Sequence, residues 1–380
     1  MIPGPYPGVW WPGDEPGQRQ FTTVAPAAGT EFALEGGGRL TDVVVAYERW
    51  GELNADRSNA VLVLHALTGD SHAAGPAGPG HGLPGWWDGL IGPGAPIDTD
   101  RFFVVCPNVL GGCQGTTGPA SAAPDGRPYG SRFPLITIRD QVAVEVALAD
   151  QLGIARWAGI IGGSMGGMRA LEWCVDQPER VDRAVILAVG AAATANQIAL
   201  CSLQVRAIRS DPAFQGGDYY DTGSRPVDGL SIARGIGHYT YRTEPELQGR
   251  FGREPQGQED VLKGGRYSVE SYLQHQGEKL AGRFDPNSYV VLTEAMNQHD
   301  VGRGRGGVER ALAVIRADVT VAGIDSDRLY PLEQQEDLAQ RLPSKAAVHV
   351  VRSLSGHDGF LLEVAQVGRI VSEALAPVGS

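Results

Sequence analysis

In the stretch GIIGGSMGGMRALEWC, Gly159 to Cys174, one serine stands between glycine pairs, after a short apolar run and before a helix-like pattern. That is the setting of a nucleophile elbow, in which glycines permit a tight strand-to-helix turn that exposes the Ser164 hydroxyl. In a chain with 53 glycines in 380 residues the G-x-S-x-G pattern alone says little, and its place between a strand and a helix carries the reading. A serine hydroxyl is a poor nucleophile without a base, so a histidine held by a carboxylate is required, in the chain order serine, acid, histidine. His349 sits inside an apolar strand run, where a packed structural role is expected. His357, in SLSGHDGFLLE, follows that strand in a loop before the last helix, where ligands meet an α/β protein. His357 is therefore the expected base. The acid is expected after the preceding strand, where VAGIDSDRLYP offers both Asp325 and Asp327. The N–H of Met165, at the start of a helix, is one expected oxyanion donor. The N–H of Leu67, after the strand in VLVLHALTGDSH, is the other.

Other chemistries find less support. Cys106, Cys113, Cys174 and Cys201 are scattered with no C-x-x-C spacing, so neither a disulfide framework nor a zinc ribbon is expected, and a reducing cytoplasm is. Cys113, in a glycine-rich loop, reads as a small packed side chain. His65 and His72 have no acidic or histidine partner at ligand spacing, so no metal is expected. GHGLPG (Gly80–Gly85) and GRGRGG (Gly302–Gly307) match G-x-G-x-x-G, but neither follows a strand and opens a helix, and no phosphate-binding P-loop pattern occurs.

The elements that must position these residues are legible as alternating apolar runs and helical patterns. Strand-like runs are Val43–Trp50, Ala60–Ala66, Arg101–Asn108, Trp157–Gly163, Arg183–Gly190, Asp318–Ile324 and Ala346–Ser353. Most are continuously hydrophobic, as strands covered on both faces should be. Thr137–Gly153, the segment after Ser164 and the C-terminal FLLEVAQVGRIVSEAL read as helices. Strands alternating with helices imply an α/β fold, a mostly parallel sheet with helices on both faces. From about Ala191 to about Gly306 the strand signal fades into polar, tyrosine-containing helical segments. These are expected to form an inserted helical lid (191–306) between two parts of the core (1–190 and 307–380). Gly75–Pro96 reads as a long loop.

Composition narrows the function. The chain has 42% hydrophobic content, enough for a full core, and a net charge of -12, which excludes nucleic acid as its main partner. The N-terminus has neither a basic nor an apolar region of a secretory signal, and the longest apolar run, Ala184 to Ala195, is too short to span a bilayer.

Eight blocks, AYERWGELN, NAVLVLHALTGDSH, CPNVLGGCQGTTGPAS, GGSMGGMRALEW, ARGIGHYTYRTE, RFDPNSYVVLTEAM, GIDSDRLYP and GHDGFLLE, together resemble the homoserine O-acetyltransferase family of α/β-hydrolase-fold acyltransferases, from about Tyr47 to about Glu363. The resemblance implies acetyl transfer from acetyl-CoA, a co-substrate rather than a bound cofactor, to the hydroxyl of L-homoserine in methionine biosynthesis. It also implies a ping-pong acyl-serine mechanism in a cytoplasmic homodimer. By position it makes Ser164 the nucleophile, Asp327 rather than Asp325 the acid, and His357 the base. It gives Arg234 the substrate carboxylate and Asp358 the substrate ammonium. Arg169 stands where glutamine is common and Asp325 where a small hydroxyl residue is usual, neither expected to touch the triad. Relatives on this fold use succinyl-CoA or accept serine, so homoserine or serine O-succinyl transfer remains open, as does an esterase or thioesterase with the same triad. A non-catalytic binding protein is disfavoured by the intact triad.

Overall fold

The apolar runs of the sequence lie side by side in one eight-stranded sheet. The computed structural model describes residues 6, 8–27, 29–345 and 347–376. The strands are β1 (Gln20–Val24), β2 (Glu31–Ala33), β3 (Arg39–Thr41), β4 (Val43–Trp50), β5 (Ala60–Leu64), β6 (Ile91–Gly92), β7 (Ile97–Asp98), β8 (Phe103–Pro107), β9 (Gly159–Gly163), β10 (Arg183–Leu187), β11 (Asp318–Ile324) and β12 (His349–Val351). The main sheet runs β1-β4-β8-β5-β9-β10-β11-β12, while β2-β3 and β6-β7 are small separate ribbons. Pairing is parallel from β8 to β12 and antiparallel at β1-β4 and β4-β8. The central strands β5, β8 and β9 are buried along their whole length, which is why they read as unbroken apolar runs. β1 escaped that reading because its sequence, QFTTV, alternates on an edge with one face open.

The expected helix after Thr137 is α1 (Ile138–Gln151), opened by a capping box in which the Thr137 N–H donates to Asp140 Oδ2 at 2.8 Å. Its Val142 and Leu148 are buried against the sheet. α2 (Met165–Asp176) follows Ser164 and runs through the core, with Leu171 and Trp173 inaccessible to solvent. Between β10 and β11 the chain makes α3 (Ala195–Ser210), α4 (Val227–Tyr241), α5 (Glu244–Phe251), α6 (Ser268–Ala281) and α7 (Pro286–Asn297). α8 (Val308–Leu312) leads into β11, α9 (Leu332–Arg341) follows it, and α10 (Gly359–Leu362) and α11 (Val364–Ala374) close the chain.

Three expectations are corrected. The run expected over Ala346–Ser353 pairs only at β12, position 346 lying outside the described residues. His349, expected to be packed, is exposed, because β12 is the sheet's last strand. The strand expected to reach Gly190 ends at Leu187, where Ala188 takes φ +52° and turns the chain out of the sheet.

Candidate active site

Each strand that carries a site residue ends at the same edge of the sheet. Ser164 follows β9, Leu67 follows β5, Asp327 follows β11 and His357 follows β12, all at the carboxyl ends of parallel strands, where an α/β sheet opens to ligands.

Ser164 has φ +55° and ψ -124°, a conformation costly for a side chain with a Cβ. Close packing holds it there. A Cβ on Gly162 would stand 2.2 Å from the Gly166 carbonyl oxygen, and one on Gly166 would stand 2.0 Å from that of Leu64. Only glycine lets α2 start this close to β5. The Met165 and Leu67 N–H groups have no protein acceptor among the described residues, so both remain free to donate to an oxyanion.

The histidine and the acid meet the serine across the chain. His357 Nε2 lies 2.9 Å from Ser164 Oγ, and His357 Nδ1 lies 2.6 Å from Asp327 Oδ2. The other carboxylate oxygen of Asp327 accepts from the N–H groups of Leu329 and Tyr330 at 2.8 and 2.9 Å. With Nδ1–H given to Asp327, Nε2 keeps a lone pair that can accept the serine proton. Burial pushes the imidazolium of His357 down, but the Asp327 charge and hydrogen bond outweigh it, so the His357 pKa is raised. Asp325 instead accepts the Ser353 N–H at 3.1 Å, a turn-closing role outside the triad. The choice that the residues left open between the two aspartates thus falls to Asp327.

A cavity of about 170 Å³ opens over Ser164, lined among others by Trp86, Arg234, Tyr241, Arg283, His357 and Asp358. It therefore brings together the two expected substrate ligands, Arg234 from α4 and Asp358 beside the base. Arg234 lies over the Tyr241 ring, 5.6 Å from its centroid, and has no carboxylate partner among the described residues. Asp358 is held by Arg242, Nη2 to Oδ2 3.1 Å. Arg242, Arg283, Tyr241 and Trp86 were not singled out from the sequence. Arg242 and Tyr241 lie within the ARGIGHYTYRTE block and Arg283 opens the RFDPNSYVVLTEAM block, which was a usable signal, whereas nothing local marked Trp86.

Around this cavity the loop that carries Leu67 is tied down. His65 Nδ1 lies 2.7 Å from the Ala66 carbonyl and its Nε2 accepts the Val109 N–H at 3.0 Å. Burial and the Arg169 charge push the pKa of His65 down to about 3, so it stays neutral. Arg169 is fully buried, ion-paired with Glu145 at 2.6 Å, and donates to the His65 carbonyl. As expected it makes no bond to the triad, yet it reaches the loop that carries Leu67. Cys113 is buried and its thiol is pushed up by burial, in keeping with a packed residue.

The expectation that His72 lacks partners is overturned. Folding brings Glu48 from β4 and His81 to it, all three buried, with ligating atoms within 4.8 Å of one another. The partners were invisible because they stand 24 residues before His72 and in a loop beyond it. Glu48 accepts from Ser71 Oγ and pairs with His72 Nδ1, each at 2.9 Å, while His81 Nε2 accepts the Gln18 N–H at 3.1 Å. The two rings stack, centroids 3.8 Å apart at 10°. An ion is bound in the plane of an imidazole, and a point between stacked rings lies in neither plane, so these residues do not fit a metal as they stand.

A family profile described as the alpha/beta hydrolase fold matches residues 59–364. The homoserine O-acetyltransferase of Thermobifida fusca is 60% identical over 98% of each chain. This chain belongs to the homoserine O-acetyltransferase family, a family of acyltransferases. Among solved structures, the homoserine O-acetyltransferase of Bacillus anthracis superposes with a TM-score of 0.85 at 28% identity, covering 95% of this chain and 98% of the other. Esterase E22 does so equally well, TM-score 0.85 at 28% identity over 94% and 99%. The fold and the acyltransferase assignment expected from the sequence are borne out. Equal likeness to both means that the fold by itself does not separate a transferase from an esterase.

Proposed function

We propose that the chain transfers an acetyl group from acetyl-CoA to the hydroxyl of L-homoserine through an acetyl-Ser164 intermediate. The observation that carries this reading is one cavity in which the Ser164–His357 pair faces both a guanidinium, Arg234, with no carboxylate partner among the described residues, and a carboxylate, Asp358. A zwitterionic amino acid needs both ends matched if it is to leave water.

In the first half, His357 Nε2 takes the proton of Ser164 as its oxygen attacks the thioester carbonyl, and the Met165 and Leu67 N–H groups stabilise the oxyanion. Collapse breaks the C–S bond, and His357 returns its proton to the departing sulfur. In the second half, homoserine is fixed through Arg234 and Asp358. His357 removes its hydroxyl proton, the oxygen attacks the acetyl-serine, and the proton returns to Ser164. Water competes as acceptor at tens of molar, so transfer depends on the segment 191–306 acting as a lid, with core segments 1–190 and 307–380 beneath it, and on a high effective concentration of the held hydroxyl. No permanently bound cofactor takes part. We place the enzyme in the cytoplasm, as a homodimer, in methionine biosynthesis. No helix among the described residues is long and apolar enough to cross a membrane.

Esterase or thioesterase activity is the second reading, favoured by the likeness to esterase E22. Free CoA release by purified protein, measured with acetyl-CoA or succinyl-CoA and with or without L-homoserine or L-serine, separates the readings. Release only with acetyl-CoA and homoserine is the expected result. Equal release without acceptor would replace the transferase reading with a thioesterase, and a preference for succinyl-CoA would move the assignment to O-succinyl transfer.

A further inference from the structure

The cavity over Ser164 contains more positive charge than the proposed use of Arg234 explains. Of the carboxylates in and beside it, Asp327 is bound to His357 and Asp358 to Arg242, while Asp70, in the wall of the adjoining cavity, accepts the His72 N–H at 2.9 Å and makes no ion pair with Arg283. Asp285, two residues beyond Arg283, accepts from Tyr219 at 2.5 Å, Tyr220 at 2.8 Å and the Ser288 N–H at 2.8 Å. That leaves two guanidiniums in the cavity wall, Arg234 and Arg283, with no carboxylate at ion-pair distance among the described residues. Arg283, on the connection between α6 and α7, is anchored by a single bond from Nη1 to the Thr68 carbonyl at 2.9 Å. It stands where the cavity meets a second one of about 200 Å³ that shares Thr68, Gly69 and Trp86 with it.

Two like charges in one half-buried wall repel, and each is poorly solvated there. Burial and, after it, the Arg234 charge pull the Arg283 pKa down, and the nearby Asp70 charge only partly opposes them. An anion placed between the two would relieve both costs at once, and planar guanidiniums suit the two oxygens of a carboxylate. We propose that Arg283 is a second ligand of the acceptor's α-carboxylate, acting with Arg234 as a two-arginine clamp. This rests on the acyl-transfer reading above. The shared chemistry is a carboxylate, and its other possible source is the far end of a succinyl donor.

The test compares wild type, Arg283→Gln and Arg283→Lys in steady-state transfer to L-homoserine and in the pre-steady-state burst with p-nitrophenyl acetate, which reports acylation of Ser164 alone. A third acceptor, the amino diol that corresponds to homoserine with its carboxylate reduced to an alcohol, removes the proposed partner from the substrate side. We expect Arg283→Gln to raise the KM for L-homoserine at least tenfold, Arg283→Lys to recover part of that, and the loss to vanish with the amino diol. The acylation rate should fall by a clearly smaller factor. Equal losses in acylation and transfer, or an equal loss with the amino diol, would overturn the proposal and leave Arg283 only a support of the oxyanion loop through Thr68. A rise confined to the KM of a succinyl donor would overturn it in favour of that second source. Failure of wild type to respond to L-homoserine would show separately, before any variant, that the transfer reading itself is wrong. If the glutamine variant does not fold, the lysine variant carries the comparison.

Discussion

Arg169 and Glu145 form a 2.6 Å ion pair in which the guanidinium is inaccessible and the carboxylate nearly so, and the same carboxylate accepts Trp173 Nε1 at 2.8 Å. Burial raises the Glu145 pKa and the Arg169 charge opposes that rise. Removing one partner strands the other in the core. Arg169→Met should therefore destabilise the fold by about 3–5 kcal/mol, and the double variant with Glu145→Leu should regain much of that. Urea denaturation of the four proteins checks it. A double variant as unstable as the sum of the singles would show that the two charges act independently.

The raised pKa of His357 sets the pH dependence. Its imidazole must be neutral to take the Ser164 proton, so kcat/KM should climb with pH through a value above the ordinary one of about 6.5. Asp327→Asn removes the largest influence that raises this pKa, so the climb should move to lower pH. The rate should fall by about 10⁴-fold as the tautomer is lost. A pH–rate profile unchanged by Asp327→Asn would remove Asp327 from the triad.

Asp358 is held by Arg242 at 3.1 Å, with Arg242 also bonded to Glu246 at 3.1 Å. If Asp358 receives the acceptor ammonium, Asp358→Asn should raise the KM for L-homoserine by about 10- to 100-fold, the worth of a hydrogen bond between charged groups. Arg242→Gln should do so less, by letting the carboxylate turn away. Single-turnover acylation by acetyl-CoA is the control. A larger loss there than in transfer would place Asp358 on the donor side.

The Glu48–His72–His81 group offers a prediction about metals. Stacked rings 3.8 Å apart would put a shared ion about 1.9 Å out of each ring plane, far from the in-plane bond that imidazole makes. Dialysis against EDTA should leave both transfer rate and melting temperature unchanged, and added Zn²⁺ should not raise the latter. A melting temperature that falls with EDTA and returns with zinc would show that the rings reorient around an ion.

The sequence by itself determined what is local. The glycines flanking Ser164, the helical spacing over Thr137–Gly153 and the unbroken apolar runs of β5, β8 and β9 all express short-range sterics or burial, and each was legible as such. The base could be placed because a loop between a late strand and the last helix has few positions. The tie between Asp325 and Asp327 could not be broken from local pattern, and needed the family resemblance. In the structure it is decided by direction: the turn after β11 points Asp327 at His357 and spends Asp325 on the Ser353 N–H.

Tertiary structure alone decided the rest. Glu48 meets His72 and His81, Arg169 meets the His65 carbonyl, and Arg283 meets Thr68 across 215 residues. His349 lost its expected burial because edge position, rather than the apolar character of its run, governs exposure in a last strand. These pairings depend on which elements the sheet order and the inserted helices bring together. A charged side chain's partner is set by that long-range geometry, and residue type and spacing along the chain carry no record of it.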